Sequence, residues 1–247
     1  MPKAQNNATQ FHALADVAHT DYHAAMSVYH VSFPVHERRD EATTTKRVRD
    51  GFYRMYVGRL GERVVFLALI HPIGNTEFAL LDYMATHPEH RNQKIGESFL
   101  KFLAAELQGG QTPKRSPDLI GATGRGLTPA LHTEETALKY LLLEVEDPAF
   151  GDNREQRARR VRFYARCGAK TMKDVRYIMP VKPGYPPEEM VLMVLPQYDD
   201  GALPGALARK IITGVYREVY GRDENDPLLN SFINEIPQTV HLQSRTR

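Results

Sequence analysis

The sequence predicts an α+β protein built on a mixed β-sheet, followed by a C-terminal helical extension. Three observations carry this. Apolar residues recur at helical spacing up to about residue 50 and then change to strand-like runs. The elements follow in the order β, α, α, β, β, β, α, β, α, β, β, which is not the strict alternation of a doubly wound parallel sheet. After Pro204 the pattern is helical again.

The elements read as follows. Phe11 to Val17 is a short apolar stretch with strand character. Tyr22, Met26, Tyr29 and Phe33 lie three or four residues apart, so Thr20 to Phe33 is a helix, ended by Pro34. The polar run Glu37 to Asp50 is a second helix. Tyr53–Leu60, Val64–Pro72 and Glu77–Thr86 form an antiparallel meander, joined at Gly61-Glu62 and Gly74-Asn75. Gln93 to Gln108 is a helix with Ile95, Phe99, Phe102, Leu103 and Leu107 on one face. A Gly/Pro-rich segment follows from Gly109 to Pro129. Leu141–Val145 is a buried-type strand, Arg154–Arg166 a helix ended by Gly168, and Val175–Val181 and Met190–Leu195 two more strands. In the extension, Leu207, Ile211, Val215 and Val219 recur every four residues. Asp226-Pro227 then has the form of an N-cap with proline at the first helical position.

Composition sets limits. The chain has 247 residues, 42% hydrophobic and 25% charged, an ordinary soluble composition. Its formal net charge of +2 gives no reason to expect a nucleic-acid or membrane partner. Cys167 is the only cysteine, so no internal disulfide can form and a reducing compartment is expected. Met1 to Gln10 is polar, and the longest apolar run, Val64 to Ile70, is too short to cross a bilayer. The expectation is a cytoplasmic protein. His87 and His90 have no partner cluster at metal-ligand spacing, so no metal is expected.

The segment from Leu80 to Leu100 carries the chemistry. A strand runs into a turn at Pro88, and an amphipathic helix starts directly after it. A helix N-terminus offers free amides and the positive end of a dipole, which suits a phosphate. Gly96 allows close approach of a ligand to the backbone, and Arg91 and Lys94 add positive charge. A second glycine-rich string, Gly121-Ala-Thr-Gly-Arg-Gly126, lacks a strand before it and a periodic helix after it, and reads as a loop.

Arg91-Asn92-Gln93-Lys94-Ile95-Gly96 resembles motif A of the GNAT N-acetyltransferases: Gln or Arg, two residues, Gly, one residue, then Gly or Ala. Lys94 departs from that pattern, standing where the family has its first glycine. Leu141–Glu146 followed by Arg160–Ala169 is similar to motif B, a strand and then a helix ending in Phe-Tyr, three residues and Gly. Here the family's tyrosine maps onto Tyr164, and Arg157 replaces a frequent asparagine. The resemblance covers residues 10–196, which divides the chain into an acyltransferase-like domain, 1–200, and the extension, 201–247.

The resemblance implies a strongly twisted sheet of six or seven strands flanked by helices, with acetyl-CoA as co-substrate between the splayed fourth and fifth strands. Backbone groups of Met84, Ala85 and Thr86 would align with the pantetheine. The loop and helix start, Arg91, Asn92, Gln93, Lys94, Ile95, Gly96 and Glu97, would hold the pyrophosphate. A base must take the proton of the attacking amine. Glu144 is the first candidate and Asp82 the second. Tyr164 would protonate the departing thiolate. The acceptor would be a primary amine on a small molecule or peptide, and the protein a monomer or homodimer.

Taken without the resemblance, these residues stay open. Tyr164 fits a core aromatic beside Phe163, Glu144 and Glu146 fit a solvated strand face, and Asp82 a buried polar partner. Two other functions also fit: a non-catalytic acyl-CoA-binding module, and nucleic-acid binding through the arginine-rich helix Arg154–Arg166.

Overall fold

The computed structural model describes residues 8–109, 137–180, 185–198 and 201–244. The N-terminal half contains β1 (Gln10–Leu14), α1 (Thr20–Ser32), α2 (Glu41–Arg49), β2 (Arg54–Leu60), β3 (Arg63–Pro72), β4 (Phe78–Thr86) and α3 (Ile95–Gln108). The rest contains β5 (Tyr140–Glu146), α4 (Arg154–Arg166), β6 (Lys170–Met172), β7 (Tyr177–Met179), β8 (Glu188–Leu195), β9 (Ala202–Pro204), α5 (Gly205–Gly214), the single-turn α6 (Pro227–Asn230) and β10 (Thr239–Gln243). The glycine-rich string Gly121–Gly126 and most of the Gly/Pro-rich segment lie outside the described residues.

The fold is α+β with a mixed sheet, as the element order implied. The sheet has ten strands in the order β1-β2-β3-β4-β5-β8-β6-β10-β9, with β7 paired to β8. The first four strands form an antiparallel meander, β4 and β5 run parallel, and β5 returns antiparallel to β8. Six or seven strands were expected. The additional ones are β6, β9 and β10, which are short or lie in the extension.

Three apolar clusters hold the layers together. On one sheet face, Ile95, Phe99, Leu103 and Leu107 of α3 and Val161 of α4 pack on Leu81, Leu141, Leu143 and Val145. On the other face the cover is divided. Tyr22, Met26 and Tyr29 of α1 lie over Met55, Leu67, Leu69 and Tyr83. The extension lies over β5 and β8, with Ile211, Val215, Tyr216 and Phe232 against Leu142, Leu192 and Val194. A β-bulge sets the division. Leu69 pairs with Tyr83 but Ile70 pairs with Leu81, so Asp82 is the extra residue of β4. Leu81 therefore packs with α3, whereas Tyr83, two residues on, packs with α1.

Some boundaries differ from the sequence reading, each for a local reason. Helix α2 starts at Glu41, not Glu37, because the Asp40 carboxylate accepts from the Thr43 amide at 2.8 Å and caps the helix there. Helix α3 starts at Ile95, not Gln93, because Asn92 (φ 62°) and Lys94 (φ 59°) are left-handed. The extension is not helical throughout. Its four-residue repeat overshoots an α-helical turn by about 40° per step. The backbone absorbs the drift: α5 passes into a π-helical turn at Val215–Val219, where the Tyr220 amide bonds the Val215 carbonyl at 3.3 Å. Beyond α6, β10 pairs with both β6 and β9.

Phe232 is 1% exposed, and its ring meets Tyr177 edge-on at 5.9 Å between centroids. Phe232→Ala should cost about 3–5 kcal/mol, the usual range for a truncated core aromatic. Chemical denaturation should show that loss in one transition for the whole chain. An unchanged midpoint, or a separate early transition for the extension, would contradict the shared core.

Candidate active site

The site is built where β4 and β5 part. Their pairing covers Phe78–Tyr140, Ala79–Leu141 and Leu80–Leu142 and then stops. Residues Met84, Ala85 and Thr86 still pair with β3 through their other edge, opposite Ala68, Leu67 and Phe66. Their edge toward β5 therefore has backbone groups without a neighbouring strand.

At the outlet of β4 the chain makes one 3-10 turn, Pro88–His90, and enters the loop Arg91–Lys94. Arg91 folds back so that its Nε donates to the Thr86 carbonyl at 3.4 Å. Lys94 takes φ 59° and ψ 17°, the left-handed region that glycine enters most easily. So the residue that breaks the glycine pattern has the backbone shape a glycine would give. No described side chain caps α3. The amides at its start, including Ile95, Gly96 and Glu97, have no intrahelical partners. Gly96 sits against α4: a β-carbon there would lie 3.5 Å from the Phe163 ring and 3.8 Å from the Met84 methyl.

The two carboxylates follow directly after the last paired residues. Asp82 and Glu144 are each two residues beyond the Leu80–Leu142 pair. Asp82 accepts a hydrogen bond from the Tyr53 hydroxyl and pairs with Arg39 Nε at 3.5 Å. Among the described residues, Glu144 has no cation in ion-pair contact. It accepts from the Tyr177 hydroxyl and, at 2.6 Å, from the Tyr220 hydroxyl. Burial raises its carboxyl to about 7; the two phenols pull the other way and the negative charge of Asp82 adds to the rise. Two donors leave about half of a carboxylate's acceptor sites open. Glu146, on the same face of β5, is engaged by Arg160 instead.

Sequence reasoning missed the groups that hold these acids. Arg39 lies in the α1–α2 connection, Tyr53 just before β2, Tyr177 on β7 and Tyr220 in the extension. Arg39 donates from Nη2 to the Val219 carbonyl at 2.9 Å and from Nε to the Tyr53 hydroxyl at 2.9 Å. None of them has a motif.

Tyr164 lies on the opposite sheet face, on α4, packed with Phe163 and Cys167 against the α3 side. It has no hydrogen-bond partner among the described residues, and burial pushes its phenol up to about 12, so it stays protonated at neutral pH. The structure thus brings Asp82 and Glu144 together on one face and keeps Tyr164 on the other, with the β4–β5 divergence between. Burial also raises the Cys167 thiol, which keeps it protonated and unsuited to a nucleophile's role. Among the described residues, no group of three or more His, Cys, Asp or Glu could hold a metal, and no helix is long and apolar enough to cross a membrane.

No protein-family model and no curated protein sequence matches the chain. Solved structures do match in fold. A GNAT-family acetyltransferase from Bacteroides thetaiotaomicron aligns over 86% of this chain and 98% of its own, with a TM-score of 0.61 and 21% identity. The ribosomal-protein-S18-alanine N-acetyltransferase of Escherichia coli aligns over 76% and 93%, with a TM-score of 0.47 and 18% identity. The spermidine N-acetyltransferase of Vibrio cholerae, solved with CoA and spermine, aligns over 76% and 94%, with a TM-score of 0.46 and 12% identity. The chain has the fold of the GNAT acetyltransferases.

Two outcomes follow from this geometry. A left-handed non-glycine residue carries strain of about 1–2 kcal/mol, against which glycine's extra chain entropy is about 0.5–1 kcal/mol. Lys94→Gly should therefore keep or raise the melting temperature; a clear fall would mean that the lysine side chain, not the backbone, shapes the loop. The second concerns Glu144, whose folded-state pKa lies above its ordinary value of 4.5. Its protonated form favours folding, so its contribution is full below pH 4.5 and is lost as the pH rises through about 7. Glu144→Gln should remove that decline and make the protein more stable than wild type at pH 8, by up to about 3 kcal/mol. Parallel stability curves for the two proteins from pH 4 to 8 would contradict it.

Proposed function

We propose that this protein is an acyl-CoA-dependent N-acyltransferase, moving an acetyl group from acetyl-CoA to a primary amine by direct attack in a ternary complex. One observation carries the reading. The β4–β5 ladder ends immediately before two partly buried carboxylates, and the same β4 leads into an uncapped helix start preceded by a left-handed loop. A site for an anionic, extended cofactor and a site for proton removal therefore share one opening.

The residues fit the cofactor. Amides from Asn92 to Glu97 suit a pyrophosphate, by the same logic as other helix N-termini. The unpartnered edge of Met84–Thr86 can hydrogen-bond an extended pantetheine as an added strand would. Lys94 is compatible with that role, because its backbone is already left-handed.

The chemistry then divides between the sheet faces. An amine attacks only when neutral, and Glu144, with a pKa of about 7, can accept its proton directly or through a water. Asp82 suits this task less well, since Arg39 and Tyr53 already engage it. The amine nitrogen bonds to the thioester carbonyl carbon, and the oxyanion that develops needs an N–H donor, a role suited to a backbone amide near Thr86. The C–S bond breaks, and the Tyr164 phenol donates to the departing sulfur. Two acids beside the opening, one of them with no cation in ion-pair contact among the described residues, suit an acceptor that arrives as an ammonium. The absence of internal disulfides and the reducing environment this suggests fit a cytoplasmic enzyme.

Acetyl-CoA at a hundred times its dissociation constant should stabilise the native protein by about 2.7 kcal/mol. With an accepted amine, thiol release should rise with pH through a midpoint near 7, as Glu144 loses its proton. Tyr164→Phe should lower turnover roughly 10²-fold with little change in acetyl-CoA affinity. The decisive assay is thiol release against amino acids, polyamines, aminoglycosides and peptides. No melting shift with acetyl-CoA and no release with any of them would end this reading; full activity in Tyr164→Phe would remove only Tyr164.

A further inference from the structure

The turn that follows α5 touches three separate walls of the acceptor side with three consecutive residues. Glu218 accepts from the Gly74 amide at 2.9 Å and hydrogen-bonds the buried His71 at 3.4 Å, which clamps the turn to the β3–β4 connection. Burial works against its charge, but the bonds from His71, Arg217 and Gly74 hold its carboxyl down at about 2. The Val219 carbonyl accepts from Arg39 Nη2 at 2.9 Å and Arg47 Nη2 at 3.2 Å. Tyr220 donates to Glu144 at 2.6 Å.

This arrangement depends on the π turn. The wider turn places Tyr220 over Val215 rather than one residue earlier, as the 3.3 Å bond from the Tyr220 amide to the Val215 carbonyl records. The helix then ends, so the Val219 carbonyl is a terminal one at the negative end of the dipole, and two guanidinium groups satisfy it. π turns inside helices are often found at functional sites.

We propose that the π turn Val215–Val219 together with Tyr220 is a positioning element of the acceptor site: Tyr220 orients the Glu144 carboxylate, and the Val219 carbonyl anchors Arg39 against Asp82. The extension is then part of the catalytic apparatus and not only a cover for the core. This rests on the reading of Glu144 as the base. The groups that act on Glu144 are Tyr177 from β7, Tyr220 and Tyr216 from the extension, Asp82 from β4 and Arg39 from the α1–α2 connection. Removing the Tyr220 hydroxyl takes away a donor that favours the charged carboxylate, so Glu144 should lose its proton at higher pH. A charge-assisted hydrogen bond corresponds to a shift of about one pH unit or more.

The experiment is Tyr220→Phe in the full chain, read in two ways. The Glu144 carboxyl carbon is titrated by NMR, with its signal assigned through Glu144→Gln. The acid limb of thiol release is measured with acetyl-CoA and whichever amine the panel identifies. Expected is an upward shift of both midpoints by about one unit, with the KM for acetyl-CoA unchanged. A 3-fluorotyrosine at position 220, a more acidic and stronger donor, should move both midpoints down, and it tests the contact even if Tyr220→Phe does not fold. Unmoved midpoints in folded protein would overturn the proposal, whatever happens to the melting temperature. If wild type releases no thiol with any amine, the functional reading fails, and the NMR titration alone decides whether Tyr220 holds Glu144.

Discussion

The parallel pairing of β4 and β5 lasts for only three residue pairs, and the rest of the molecule is arranged around its end. The bulge at Asp82 lies just beyond it. An extra residue in a strand bends it and sharpens its twist, and the pairing with β5 ends two residues before Asp82. The same residue changes which face each side chain meets. That lets α1 cover Tyr83 while α3 covers Leu81, and it turns the acid toward the tyrosines. One inserted residue thus supplies an acid beside the end of the ladder and divides the layer above it.

The two acids are held by different partners. Asp82 has the Arg39 guanidinium beside it and accepts from the Tyr53 hydroxyl. Among the described residues, Glu144 is hydrogen-bonded only by the phenols of Tyr177 and Tyr220, and the charge of Arg39 is the smallest of the influences on it. Desolvation therefore dominates, and the group titrates near neutrality. Arg39, beside Asp82, also donates to the Val219 carbonyl at the end of the π turn.

Much of this was legible in the sequence, though unevenly. The meander was readable because Gly61-Glu62 and Gly74-Asn75 separate runs of apolar residues. The α3 face was readable because Ile95, Phe99, Leu103 and Leu107 repeat at helical spacing and are all buried. Asp82 and Glu144 stood out as acids in apolar strands. β6, β9 and β10 did not stand out, because strands of three to five residues carry too few alternations to register. Tyr53, Tyr177 and Tyr220 come from segments far apart in the chain, and a hydroxyl's partner depends on tertiary packing, which spacing does not encode. The four-residue repeat in the extension is visible in the sequence, but its period exceeds that of an α-helix, and the difference emerges only as the π turn at Val215–Val219.

The place of β10 in the sheet bears on the order in which the molecule can be assembled. Thr239–Gln243 lies between β6 and β9, and Val240 is fully buried, so one of the last described segments is an interior strand. A ribosome delivers β5 and β8 well before the residues that cover Leu142, Leu192 and Val194. Until Gly205 to Val240 has emerged, that apolar face stands open and β6 presents a bare edge, the surface on which nascent chains associate wrongly. Closing it requires contacts between residues far apart along the chain, such as Leu142 with Val215 and Phe232. The segment that brings Tyr220 to Glu144 also ends the interval in which the chain is most exposed to aggregation.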